Sequence, residues 1–100
     1  MESQSTYRIV FQGDLPVEAV EDTLMMAVMA VECLVGRPAL KLEASFRLDK
    51  KLRTCTVDAS TPAGQHIARV FVGLMAREFG EGTFTVERDG AAKAAGGPQG

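Results

Sequence analysis

The sequence predicts a small α+β domain: a two-layer β-α-β-β-α-β sandwich, with a four-stranded antiparallel sheet and both helices on one face. Three observations predict it. Segments alternating apolar and polar residues recur at 7–13, 39–48, 52–59 and 83–88, the period of a half-buried strand. Two longer apolar-rich segments sit between them, each ended by a glycine, Gly36 and Gly80, which suits a helix stop. Right-handed crossovers then place both helices on the same side of the sheet.

Each element has its own local reason. In 7-YRIVFQG-13, Tyr7, Ile9 and Phe11 share one side, and Arg8, Val10 and Gln12 the other. Gly13-Asp14 breaks that strand, and Pro16 suits a first helical turn. Glu18, Glu21 and Asp22 bring negative charge to the positive end of the helix. In 39-ALKLEASFRL-48, Leu40, Leu42, Ala44, Phe46 and Leu48 alternate with polar residues, which predicts a strand. The turn 49-DKK-51 joins it to 52-LRTCTVDA-59 as a hairpin, with Cys55, Val57 and Ala59 on one side. Ser60 or Thr61 caps a second helix with Pro62 in its first turn. The last strand, 83-TFTVER-88, points Phe84 and Val86 inward.

These elements form a single domain over residues 7–88. Residues 1–6 are polar and 89–100 are rich in Ala and Gly, so both ends are expected to be disordered. The chain is 46% hydrophobic and 24% charged with a net charge of −2. That balance argues against nucleic acid and anionic membranes as partners, since both select basic surfaces. The polar start, MESQSTYR, lacks the apolar core of an export signal. With Cys33 and Cys55 the only cysteines, free thiols in a reducing cytoplasm are expected.

The element order is that of the ferredoxin-like sandwich, a fold whose uses are set by their sites. RNA-binding domains of this order stack bases on aromatics of the outer sheet face. Here the outward positions are Arg8, Val10, Gln12, Thr54, Thr56 and Asp58, none of them aromatic. Metal-carrying domains place cysteines after the first strand, where soft thiolates bind soft ions; this loop is Gln12-Gly13-Asp14-Leu15. Acylphosphatases need an arginine there for phosphate, and it is absent.

No catalytic constellation, metal site or cofactor motif emerges, so the chain is not expected to be an enzyme. His66 is the only histidine, and with Arg69 and Arg77 it belongs to a solvated basic flank. The turn 58-DASTPAG-64 is a candidate anion site, since amides at a helix start attract negative charge, and the turn 13-GDLP-16 is a second place for a small ligand. Ser60, Thr61 and Gly64 are the residues of the first, and they carry the alternative reading of a small-molecule or anion-sensing regulatory domain.

The strongest functional signal is 22-DTLMMAVMAVECLVG-36. Val17, Val20, Leu24, Val28, Val31 and Val35 share one strip of the helix and should face the core. At about 100° per residue, Met25 and Met29 lie roughly 80–120° from Val17, and Met26 and Cys33 roughly 160–180° from it. This helix therefore carries a second apolar zone that the sheet cannot cover. The neighbouring helix is expected to take up part of the methionine set and leave the rest bare. Met25, Met26, Met29, Ala30 and Cys33, with Val72 and Phe79 of the second helix, are the expected interface. Met-rich surfaces adapt to partners, which makes this a protein-protein interaction module. Its partner is itself, as a homodimer or higher oligomer, or another protein.

Overall fold

The computed structural model describes residues 5–90. Strand β1 (Ser5–Phe11) leads to helix α1 (Val17–Val35), a short helix α2 (Arg37–Glu43), and strands β2 (Phe46–Asp49) and β3 (Thr54–Asp58). Helix α3 (Pro62–Phe79), a 3-10 turn at Glu81–Thr83 and strand β4 (Phe84–Gly90) complete the chain. Loose ends were expected at 1–6 and 89–100; residues 5–6 instead open β1 and 89–90 close β4, while 1–4 and 91–100 lie outside the described residues.

The four strands form one antiparallel sheet in the order β2-β3-β1-β4. Register places Ile9 opposite both Cys55 and Val86, and Phe11 opposite Phe84. Paired residues share a face, so Ile9, Phe11, Cys55, Val57 and Phe84 form one side of the core. Val20, Leu24, Ala27 and Val31 of α1 and Ile67, Ala68, Phe71 and Met75 of α3 complete it. The opposite face carries Arg8, Val10, Thr54, Thr56 and Asp58, the hydrophilic surface the alternation predicted.

Residues 39–43 are helical instead of extended. Ala39, Leu40, Lys41, Leu42 and Glu43 are all strong helix formers or helix-tolerant, and none is β-branched. Gly36, at φ 93°, ends α1 with its N–H on the Glu32 carbonyl at 2.8 Å, and its own carbonyl then accepts from Leu40 N. Pro38 occupies the first turn of the new helix. The period-two pattern of Leu40, Leu42 and Ala44 was coincidental: Leu40 and Ala44, four apart, pack on the core, while Leu42 is 86% exposed.

Candidate interaction surface

Helix α1 buries Val20, Thr23, Leu24, Ala27 and Val31. That arc is turned away from the expected strip, towards the flank carrying Thr23 and Ala27; Val17, Val28 and Val35 are only half-buried. Since α1 and α3 are in contact, and this is the one buried flank besides the sheet-facing strip, it is where α3 lies. The expectation that α3 would cover part of the methionine set is therefore corrected. Small residues allow closer helix approach than methionines do. The one polar group on this flank is satisfied, because the Thr23 hydroxyl donates to the Ala19 carbonyl at 2.9 Å.

The methionines remain outside. Met25 is 44%, Met26 47% and Met29 63% exposed, and Ala30 and Cys33 beside them are exposed too. Leu34, at 66%, is exposed as well, but it lies on the flank of Thr23 and Ala27 near the end of the helix, not on the methionine face. Two acidic groups of α1 are engaged within the chain. Glu32 accepts from Arg37 Nε at 2.6 Å, and Glu21 lies 3.8 Å from Lys50 Nζ. The Glu32 carboxylate raises the Arg37 pKa, through its hydrogen bond first and its charge second. Glu18 and Asp22 are left exposed at the N-terminal end of the stripe.

The two α3 residues expected in this interface lie elsewhere. Phe79 is half-buried against the core. Val72 lines a groove with Tyr7 and Val86, between α3 and β4, so it is not part of the α1 stripe.

At the start of α3, Thr61 is the N-cap: its Oγ1 accepts from Gly64 N at 3.1 Å and donates to the Glu43 carbonyl at 2.9 Å. The Asp58 carboxylate accepts from Ser60 N at 2.9 Å. Two of the amides an incoming anion would use at Ser60, Thr61 and Gly64 are thus bound to the chain's own oxygens, one of them a carboxylate. His66 is half-buried and Arg69 and Arg77 are exposed. Among the described residues no group of three or more His, Cys, Asp or Glu side chains is placed to hold a metal ion, and no single helix is long and apolar enough to cross a membrane.

Sequence reasoning missed Arg53. It holds φ 54° in the β2–β3 turn and reaches across to the β1–α1 loop. There Nη2 donates to the Gln12 carbonyl at 2.9 Å and also to that of Leu15, while the guanidinium sits 5.2 Å from the Phe11 ring centroid. The loop Gln12–Leu15 is thereby tied down. No short-range pattern signals a contact between residues so distant in sequence.

Cys55 is fully buried and Cys33 exposed, both as free thiols. Comparison with models of known protein families, with curated proteins and with solved structures finds no match to this chain.

Proposed function

We propose that this chain is a non-catalytic assembly module of the cytoplasm, built as a ferredoxin-like sandwich, that self-associates through the outer face of α1. Support for the architecture comes from the strand order, which read from the other edge is β4-β1-β3-β2, and from the core that α1 and α3 share. The functional reading rests on one observation: Met25, Met26, Met29, Ala30 and Cys33 share one side of α1 and all stand exposed.

Isolated exposed apolar residues are ordinary, but a contiguous stripe of this kind marks a contact. A second copy lying antiparallel across a two-fold axis would set stripe against stripe, because a two-fold interface is self-complementary. Ala30 permits close backbone approach, and the flexible thioethers fill the irregular space that remains. Each Å² of apolar surface so covered contributes about 25 cal/mol. Glu18 and Asp22 at the end of the stripe bias orientation more than affinity.

Methionine oxidation tests this directly, since a thioether becomes a polar sulfoxide only where peroxide reaches it. With dilute chain, peptide mass spectrometry after peroxide treatment should show Met25, Met26 and Met29 oxidised well before Met75, which is fully buried. With concentrated chain the three should become protected together. Equal oxidation rates at both concentrations would refute the interface.

A further inference from the structure

We propose a second binding surface, independent of the α1 stripe. The groove between α3 and β4 takes an extended peptide segment of a partner protein, which adds as a fifth strand beside β4. It places an apolar side chain in the groove and a carboxylate at Arg69 and Arg88.

The groove exists because the helical layer stops short of the sheet edge. β4 is an edge strand, and among the described residues nothing pairs with its outer side. Register sets Val86 opposite Ile9 on the core face, yet Ile9 is fully buried while Val86 is 43% exposed. The space beside Val86 has a volume of about 480 Å³ and is walled by Tyr7, Ala68, Val72 and Gly73. Gly73 stands in the interior of α3, where glycine weakens a helix. A methyl group there would meet nothing within 4 Å. Gly73 therefore leaves the helix side of the groove without a side chain, and a larger residue there would narrow it.

Charge chooses the occupant. The groove runs into a polar recess walled by Tyr7, Gln65, Arg69 and Arg88. Arg88 lies over the Tyr7 ring at 5.4 Å from its centroid, and among the described residues neither Arg69 nor Arg88 has an ion-pair partner. An open strand edge running beside an apolar groove is the geometry for strand addition. Side chains two apart on a strand share a face, as Val86 and Arg88 do. A peptide strand with an apolar residue and, two positions away, an acidic one therefore matches both. A second copy paired through β4 does not. Among the described residues, the β4 strand of a two-fold partner offers only Phe84, Val86 and Arg88 on this face, and none of them can neutralise a guanidinium.

The test selects random heptapeptides displayed on phage against the full chain, then measures labelled enriched peptides by fluorescence anisotropy. Enriched sequences should share an apolar residue two positions from Asp or Glu. Gly73→Leu, which narrows the groove, and Arg88→Glu should each weaken binding by roughly tenfold or more. Met26→Asp should leave it unchanged. If Gly73→Leu loses its helical circular dichroism, Val86→Lys at the exposed edge should show the same loss of affinity. The proposal is overturned by no enrichment, by a consensus without an acidic residue, or by affinity that none of the groove variants moves. Intermolecular NOEs between two β4 strands in the free chain would also overturn it, giving the edge to a second copy.

Discussion

A methyl group on Gly64 would sit 1.8 Å from the Asp58 carbonyl oxygen, so α3 approaches the end of β3 as closely as it does only because that position has no side chain. Backbone, unlike a flexible side-chain tip, cannot step aside. Gly64→Ala is expected to cost about 3 kcal/mol or more, read as a fall in the urea midpoint without a change in slope. Arg53→Ala removes the donor to the Gln12 and Leu15 carbonyls while leaving its positive φ in place. Chemical denaturation should show a loss of about 1–2 kcal/mol. The two cysteines should part company in a native thiol titration: Cys33 reacts promptly, and Cys55 reacts only as fast as the chain unfolds. Burial pushes the Cys55 thiol from the ordinary 9.0 up to about 12. Between those values the folded chain holds a proton that the unfolded chain has released, so stability must fall as pH rises. This contribution is complete below pH 9.0 and gone above about 12, and Cys55→Ala should flatten that part of the stability profile.

At the scale of elements, α1 and α3 were legible because their signals agree. Apolar spacing, Pro in the first turn of α3, and a glycine stop at each C-terminus all point the same way. Helix α2 was not legible from apolar spacing, because three apolar residues at every second position mimic a strand over so short a segment. Its residue types were the better guide. Ala, Leu, Lys and Glu favour helix and contain no β-branched member, whereas β3 holds two threonines and a valine. The stripe on α1 was visible in the sequence; which flank α3 would cover was not. That depended on Thr23 and Ala27 permitting closer contact than Met25 and Met29, a matter of packing distance that a helical wheel does not contain. The groove beside β4 was equally invisible, although Val86 was correctly placed on the inner face. How far a helical layer extends across a sheet is a property of the assembled layers.

For the whole molecule, a Cα radius of gyration of 13.4 Å is close to the about 13 Å expected of a compact chain of this length. A domain so small buries a modest share of its surface and gains from association. The α1 stripe and the α3–β4 groove lie on different elements, so they can be tested separately. Self-association through α1 is the claim on which the functional reading stands, and sedimentation equilibrium across a micromolar concentration series tests it most directly. The wild-type chain should approach at least twice its 10.7 kDa mass at high concentration, with Met26→Asp holding at the single-chain mass while its circular dichroism stays unchanged. A wild-type chain that remains at 10.7 kDa throughout, or a Met26→Asp variant that associates as strongly as the parent, would contradict it.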